Sequence, residues 1–213
     1  MDGPFFIASI RDVVILRSVF DAGEVRAIEE ALLELEAELR PGAYLRERDD
    51  REQQQNPWLK SNRVYVADGR RSTRFDRAAF PLVAARFAAL LGRAAEEGWV
   101  SRIGGATAGG RRFAVEDLHV SVYGHGDHYI AHRDVGRSAG VTINALFCIG
   151  DPAFEGGALT FASDREDDIE EIPFEKNSVV VFPCDRLHQV DHVRGARRYV
   201  DARFSIQCWP EIV

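Results

Sequence analysis

The sequence contains little of what would place the protein outside the cell or in a membrane. Its 213 residues include three cysteines, Cys148, Cys184 and Cys208, which are far apart and odd in number. We therefore expect neither a disulfide framework nor a cysteine-based zinc site, and this usage is typical of a reducing cytoplasm. No apolar run approaches the ~18 residues of a membrane span, and the first ten residues lack a signal-peptide pattern. The sequence predicts a cytoplasmic protein with no membrane partner.

Positive charge is also scarce, since 27 Lys and Arg residues stand against 34 Asp and Glu residues, for a net charge of -7. An acidic chain argues against nucleic acid as a partner, because contacts to phosphate need clustered basic charge. Lys60 and Lys176 are the only lysines, so we expect any buried cationic anchor to be an arginine. The composition excludes low-complexity and disordered classes, and the length allows one large core. We expect a single domain over residues 1–213.

The first hundred residues predict a helical layer that supports the rest. An apolar strand over residues 13–20 leads into Asp21 and Glu24, which are spaced as a capping box, and apolar positions then recur at helical spacing up to Leu39. A second helix is predicted over residues 77–97. Residues 45–75 are charged and polar without a sustained period, so they predict a surface loop or, alternatively, a lid over a site.

Residues 101–213 change in character, because short β-rich segments alternate with turns. This spacing predicts an antiparallel sandwich or barrel rather than a parallel sheet, and hence a mainly β core carrying helices from the first half. The six predicted strands cover residues 118–123, 141–149, 158–161, 178–182, 188–193 and 199–209. The glycine-rich run at residues 104–110 lacks the Lys-Ser/Thr pair of a phosphate-binding loop and is interpreted as a turn.

A candidate metal site begins with His132 and Asp134. In an extended chain residues i and i+2 project to the same side, so both side chains can bind one cation. His188 follows an apolar strand and is the candidate third ligand. Two histidines and one carboxylate on one face of a metal leave positions open, a set that suits Fe(II). An HxD triplet alone does not identify such a site, and the sequence around it supplies the further argument.

That surrounding sequence resembles a known family. Residues 123–134, YGHGDHYIAHRD, resemble the YxxGDxYxxHxD signature of the prolyl-4-hydroxylase-like branch of the Fe(II)/2-oxoglutarate dioxygenases. The resemblance continues in order through residues 156–159 (GGAL), 173–183 (PFEKNSVVVFP), 188–190 (HQV) and 203–209 (RFSIQCW). It spans nearly half of the chain, and several linked motifs in the same order make it specific.

The resemblance implies a double-stranded β-helix, or jelly-roll, core over residues 101–213, with residues 1–100 as helical support and lid. It implies Fe(II) held by His132, Asp134 and His188, with 2-oxoglutarate and dioxygen as the other reactants. The expected reaction is hydroxylation of an unactivated C–H bond, coupled to decarboxylation of 2-oxoglutarate to succinate.

The resemblance further implies a basic residue on the last strand that binds the distal carboxylate of 2-oxoglutarate. Arg203 fits this role, with Ser205 facing the same way, whereas Arg197 imitates the spacing seen in relatives with a shorter hairpin before that strand. Asp201 would sit awkwardly within a strand if Arg197 were chosen, so Arg203 is favoured. Tyr123 matches a tyrosine that helps to hold the cosubstrate, although a core aromatic on a strand is an equally good interpretation.

Two other functions fit parts of the pattern. His188 and His192 resemble a zinc-protease HExxH, but a glutamine replaces the required glutamate and the β-branched neighbours disfavour a helix. A cupin-like binding module would share the barrel without catalysis. Within the dioxygenase interpretation the expected substrate is a prolyl residue of a protein, a free amino acid or a small natural product. The oligomeric state cannot be read from the sequence.

Overall fold

The computed structural model describes residues 5–10, 12–45, 53–65, 79–98, 113–134, 140–162 and 169–213. Two helices are present in these ranges, α1 (Ala22–Glu34) and α2 (Ala79–Glu96), with short 3-10 turns at Glu36–Glu38 and Tyr199–Asp201. The strands in chain order are β1 (Phe5–Ile10), β2 (Val13–Arg17), β3 (Arg40–Leu45), β4 (Gln53–Tyr65), β5 (Phe113–Ala114), β6 (Asp117–Tyr123), β7 (Tyr129–His132), β8 (Val141–Phe147), β9 (Glu155–Gly156), β10 (Leu159–Ala162), β11 (Ile169–Ile172), β12 (Ser178–Pro183), β13 (His188–Val190), β14 (Val193–Arg194), β15 (Arg203–Cys208) and β16 (Glu211–Ile212).

Both predicted helices are confirmed. Helix α1 begins with the expected capping box, in which the Asp21 carboxylate accepts from the backbone N–H groups of Gly23 and Glu24. The Glu24 carboxylate in turn accepts from the Asp21 N–H at 2.9 Å. These bonds satisfy donors that the first helical turn would otherwise leave unpaired. Neither described helix combines the length and the apolar character that crossing a bilayer requires.

The predicted surface loop over residues 45–75 is wrong for residues 53–65. These residues form β4, a long strand that pairs with β3 on one side and with β6 on the other. The sequence QQQNPW has no apolar alternation; residues 53–56 lie in the strand because β3 offers them backbone partners, and residues 60–65 because β6 does. Residues 46–52, 66–78 and the glycine-rich run 104–110 lie outside the described part of the chain, so the lid and the turn stay predictions.

The predicted strands of the second half are confirmed, and they belong to two facing sheets. The major sheet has eight strands in the order β1-β2-β12-β8-β15-β6-β4-β3, and the minor sheet has four in the order β11-β10-β13-β7. The last predicted segment begins later than expected, because residues Tyr199–Asp201 form a 3-10 turn and the strand starts at Arg203. The architecture is a jelly roll with two helices, as the resemblance implied.

Side chains along the central strands point alternately to two separate apolar cores. On β15, Phe204 and Ile206 face the helices, whereas Arg203 and Ser205 face the space between the sheets. The helix side holds the larger apolar cluster, to which α2 contributes Phe80, Val83, Phe87, Leu90 and Leu91. The inter-sheet side holds a second apolar cluster whose members include Tyr123, Leu146, Leu159, Phe161, Val180, Phe182 and Val190. The central strands therefore serve stability on one face and line an enclosed barrel on the other.

Two glycines fix the turn that closes this barrel. Gly156 and Gly157 both have positive φ, +75° and +70°. A Cβ on Gly156 would lie 2.2 Å from the carbonyl oxygen of His192, and one on Gly157 would lie 2.7 Å from Cδ of Arg203. Both glycines of the GGAL motif are therefore required here, because their backbone has positive φ and because neighbouring atoms leave no room for a Cβ. Their missing side chains let β9 and β10 pack against the segment that precedes Arg203.

Candidate active site

His132, Asp134 and His188 come together at the mouth of the barrel. Strands β7 and β13 are antiparallel neighbours, and their register places His132 directly opposite His188. Asp134 follows β7, with its carboxylate 3.7 Å from Nε2 of each histidine. One ligand atom from each of the three residues lies within 4.8 Å of the others, and no other group of this kind occurs in the described ranges. The arrangement has the two-histidine, one-carboxylate composition of a facial metal site.

Backbone carbonyls fix the tautomer of both histidines. Nδ1 of His132 lies 2.9 Å from the carbonyl oxygen of Ile130, and Nδ1 of His188 lies 2.9 Å from that of Arg186. Because a carbonyl only accepts, each Nδ1 carries the proton and each Nε2 presents its lone pair to the shared space. Burial, with the neighbouring His132 as a second cause, lowers the pKa of His188 to about 4, so its imidazole stays neutral.

The Asp134 carboxylate is held by a residue that the sequence analysis did not identify. Thr142 on β8 donates its hydroxyl to Oδ2 of Asp134 at 2.8 Å. The backbone N–H of Asp134 donates to the carbonyl oxygen of Cys184 at 2.7 Å. Arg133, which lies between the two ligands in sequence, points away from the site and donates to the carbonyl oxygen of Asp185. These bonds fix the direction of the carboxylate before any metal binds.

Arg203 supplies a buried positive charge to the same barrel. Its side chain is 0% exposed; Nε donates to the carbonyl oxygen of Gly157 at 2.7 Å and Nη1 donates to Oγ of Ser205 at 2.8 Å. Nη2 has no hydrogen-bond partner among the described residues. Burial lowers the pKa of Arg203 to about 10, so the group remains charged at neutral pH. Arg197 is exposed in the segment 191–201, and Asp201 precedes the strand instead of interrupting it. The expected hairpin is wrong in a strict sense, because this segment connects β13 of the minor sheet to β15 of the major sheet.

Tyr123 lies beside this arginine. It is the cross-strand partner of Arg203 in the β6–β15 register, and the guanidinium stacks 4.9 Å from the centre of its ring. Burial raises the pKa of Tyr123 to about 12, against the opposing effect of the Arg203 charge. Tyr123 is therefore a core aromatic that packs on the Arg203 guanidinium, and its contact with the cosubstrate stays a prediction.

The other histidine pattern is not brought together. His188 belongs to β13, whereas the ring of His192 stacks on that of His128 with the ring centres 4.1 Å apart. The sequence HQVDH is therefore not helical and does not form a zinc-protease site.

All three cysteines are buried and none is in a disulfide, and burial raises the pKa of the Cys148 thiol to about 11 and that of Cys208 to about 12.

Two polar residues of the barrel could have been noticed in the sequence. Thr142 and Asn144 interrupt the otherwise apolar strand β8, VTINALF, every residue of which is buried. Buried polar groups need partners, so two of them at i and i+2 indicate one polar face. The identity of those partners depends on the packing of other strands.

Known proteins place this arrangement in a family. Residues 118–211 match the 2OG-Fe(II) oxygenase superfamily. No curated protein is similar enough in sequence to count as a relative. Among solved structures, a prolyl hydroxylase from Trichoplax adhaerens, in complex with a peptide fragment of the hypoxia inducible factor oxygen degradation domain, is 17% identical with a TM-score of 0.67, covering 94% of this chain and 83% of that one. A Pseudomonas putida prolyl-4-hydroxylase is 18% identical with a TM-score of 0.62, covering 94% and 92%.

A third solved structure, an oxidoreductase of the 2OG-Fe(II) oxygenase family from Burkholderia pseudomallei, is 14% identical with a TM-score of 0.62, covering 94% of this chain and 85% of that one. At these identities the neighbours establish the shared jelly-roll fold, and the family match covers residues 118–211. The match to the 2OG-Fe(II) oxygenase superfamily covers residues 118–211, which include His132, Asp134 and His188, and the protein is a dioxygenase that uses Fe(II), 2-oxoglutarate and dioxygen.

Proposed function

We propose that the protein is a hydroxylase that binds Fe(II) through His132, Asp134 and His188 and acts on a prolyl residue or a free amino acid. The observation that carries this proposal is the convergence of two Nε2 atoms and one carboxylate within 4.8 Å. The donor set fits the metal, because two neutral imidazoles and one carboxylate are the ligands of non-haem Fe(II) oxygenases. The carbonyls that hold each Nδ1 proton supply the outer contacts that such ligands need.

Arg203, Ser205 and Tyr123 are proposed to bind 2-oxoglutarate. A carboxylate taken out of water needs a cation with hydrogen-bond donors, and Nη2 of Arg203 is a buried donor with no partner among the described residues. The hydroxyl of Ser205 accepts from Nη1 and keeps the guanidinium plane fixed. The Tyr123 ring covers the guanidinium, so water has little access to the charge.

Bound Fe(II) and 2-oxoglutarate supply the activation of dioxygen, with 2-oxoglutarate leaving as succinate and carbon dioxide. The chain contributes orientation and exclusion of water. Phe182 packs edge-on against the His188 ring with centres 4.8 Å apart, and Phe161 packs behind it. Thr142 keeps Asp134 directed at the shared space. Rigid ligands in an apolar wall hold the reacting atoms in place and limit side reactions with water.

The substrate class rests on the solved neighbours. Two of them are named as prolyl hydroxylases, and one of these was solved with a peptide bound. We therefore propose that a prolyl side chain reaches the metal at the mouth of the barrel. Three arginines in the segment before β15 offer positive charge to an acidic or carboxylated substrate; they are Arg194, Arg197 and Arg198. Arg198 is also paired with Asp201 at 2.7 Å.

The proposal is tested by anaerobic titration of the metal-free protein with Fe(II) and then with 2-oxoglutarate. A visible charge-transfer band that requires both additions is expected, and it should be absent in His132→Ala and His188→Ala. Succinate release is then measured with proline, prolyl peptides and other amino acids, and the oxygen added to the product is traced from labelled dioxygen. Stoichiometric Fe(II) binding by either histidine variant would exclude the proposed ligand set, and zinc-dependent hydrolysis without 2-oxoglutarate would exclude the reaction.

A further inference from the structure

Asn144 is a buried amide whose hydrogen bonds are incomplete. It lies on β8 two residues after Thr142, faces the barrel and is 3% exposed. Its Nδ2 lies 3.4 Å from Oγ of Ser205, and Oδ1 has no partner among the described residues. An asparagine with both amide atoms buried and one of them unpaired is costly to keep in a folded protein. Its position beside the Arg203–Ser205 pair indicates that a bound ligand completes its hydrogen bonds.

Counting donors and acceptors decides which amide atom faces the ligand. Oγ of Ser205 already accepts a hydrogen bond from Nη1 of Arg203, so its own proton needs an acceptor. If the amide of Asn144 is turned by 180°, Oδ1 takes the position next to Ser205 and accepts that proton. A series of hydrogen bonds then runs from Arg203 through the Ser205 hydroxyl to Oδ1 of Asn144, and the hydroxyl both accepts and donates. Nδ2 is left facing the barrel with two unused protons.

In this arrangement the two unpaired atoms of the pocket are both donors. Arg203 and Asn144 both contact the Ser205 hydroxyl, through Nη1 and the side-chain amide, and both side chains are buried. Their unpaired atoms are buried as well. Two buried donors around one hydroxyl are complementary to an anion with two oxygens. Leu146, the other inward neighbour on β8, is apolar and offers no alternative donor.

We propose that Asn144 is a specificity-determining residue that donates a hydrogen bond to the distal carboxylate of 2-oxoglutarate, together with Arg203. This inference rests on the proposed assignment of Arg203 to that carboxylate. Arg203 supplies the charge, and Asn144 selects a group with a second oxygen acceptor. The residue should therefore distinguish 2-oxoglutarate from a 2-oxo acid of equal chain length that ends in a methyl group.

The test compares 2-oxoglutarate with 2-oxopentanoate, whose terminal methyl replaces the distal carboxylate. Dissociation constants are measured by anaerobic titration of the Fe(II)-loaded wild type, Asn144→Leu, Asn144→Asp and Gln207→Leu. Gln207 is the control because it lies opposite Asn144 on β15 but bonds to His119, outside the Arg203 group. Asn144→Leu removes the donor, and Asn144→Asp keeps the shape but replaces the donor by a negative charge.

We expect Asn144→Leu to weaken 2-oxoglutarate binding about tenfold or more, the effect of one hydrogen bond to a charged group, and Asn144→Asp to weaken it further. Binding of 2-oxopentanoate should change by less than about twofold in Asn144→Leu, and Gln207→Leu should bind both acids as the wild type does. If Asn144→Leu does not fold, Asn144→Asp carries the test, since it is isosteric.

Equal losses for the two acids in Asn144→Leu, or no loss for either, would overturn the inference while leaving the dioxygenase assignment intact. Failure of the wild type to bind 2-oxoglutarate at all would instead overturn the proposed function, and the inference with it. The two failures are therefore distinguished by the wild-type titration. Iron affinity, measured in the same samples before the acid is added, should be equal in all four proteins.

Discussion

Replacing Arg203 by methionine should separate ligand binding from stability. In the ligand-free protein the buried charge is unfavourable, since a fall in pKa from 12.5 to about 10 corresponds to about 3 kcal/mol. Methionine removes that cost but leaves the carbonyl of Gly157 and the hydroxyl of Ser205 without a donor, at about 1 kcal/mol each. The free energy of unfolding of the ligand-free variant should therefore lie within about 2 kcal/mol of the wild-type value.

Binding of 2-oxoglutarate should respond very differently. Removing the partner of a buried charge costs about 3–5 kcal/mol, which weakens binding about 10²- to 10⁴-fold. The assay is the melting temperature of the anaerobic, Fe(II)-loaded protein with and without 2-oxoglutarate at a concentration about 100 times the wild-type Kd. Under these conditions the wild type gains about 2.7 kcal/mol, or about 5–10 °C. Arg203→Met should gain about 1 °C or less.

Arg197→Met is the matched control, because Arg197 is exposed in the segment before β15. It should keep the full thermal shift with 2-oxoglutarate. A full shift in Arg203→Met, or its loss in Arg197→Met, would refute the assignment of the distal carboxylate. A ligand-free Arg203→Met protein that is destabilised by much more than about 2 kcal/mol would refute the view that the guanidinium is held for the ligand rather than for the fold.

Three further substitutions test the surroundings of the site and the helical layer. Thr142→Val should lower Fe(II) affinity about 10- to 100-fold, because Asp134 loses the hydroxyl that orients it, and metal titration measures the change. Gly157→Ala should weaken 2-oxoglutarate binding, because the new Cβ would displace the Arg203 side chain. It should also destabilise the fold by about 1–3 kcal/mol, because residue 157 has a positive φ that alanine rarely adopts. Asp21→Ala should lower the melting temperature by a few degrees, since helix α1 loses its cap.

The Thr142 and Asp21 substitutions each have a matched control. Thr160→Val removes a comparable hydroxyl on β10, which bonds to Asp191 at 2.7 Å, and should leave Fe(II) affinity unchanged. Asp21→Asn preserves the cap and should stay near the wild-type melting temperature. The pKa of Asp21 is lowered mainly by the Glu24 N–H, so the extra stability from its charge is present above its ordinary pKa of 3.8 and is lost as the pH falls through the lowered value. Asp21→Asn should not show that loss.

The local parts of the site could be predicted from the sequence because strand geometry is periodic. In an extended chain residues i and i+2 point to the same side. His132 and Asp134 therefore share one side of their segment, and Arg203 and Ser205 share one side of theirs, whatever the rest of the fold does. The capping box of α1 is equally local, since Asp21 and Glu24 bond to each other's backbone. In each case the partners are two or three residues apart.

Contacts between distant segments could not be predicted in this way. β4 has a polar, non-alternating sequence and is a strand because β3 pairs with its first half and β6 with its second half, so no local pattern indicates it. Thr142 and Asn144 stand out as polar residues in an apolar strand, but their partners, Asp134 and Ser205, come from other strands. The apolar strand before His188 makes this residue a candidate ligand and the family resemblance supports it, but its position opposite His132 depends on the β7–β13 register.

The two-sided use of β15 limits where the gene can gain or lose codons. A one-residue shift of the register of this strand would turn Phe204 and Ile206 into the barrel and Arg203 and Ser205 into the helical layer, so activity and folding would fail together. The exposed residues Arg197 and Arg198, in the segment that precedes the strand, carry no such double constraint. Length variation among homologous genes should therefore accumulate in the segment 191–201. Longer loops there can alter substrate choice without changing which side chains of the barrel strands point inward.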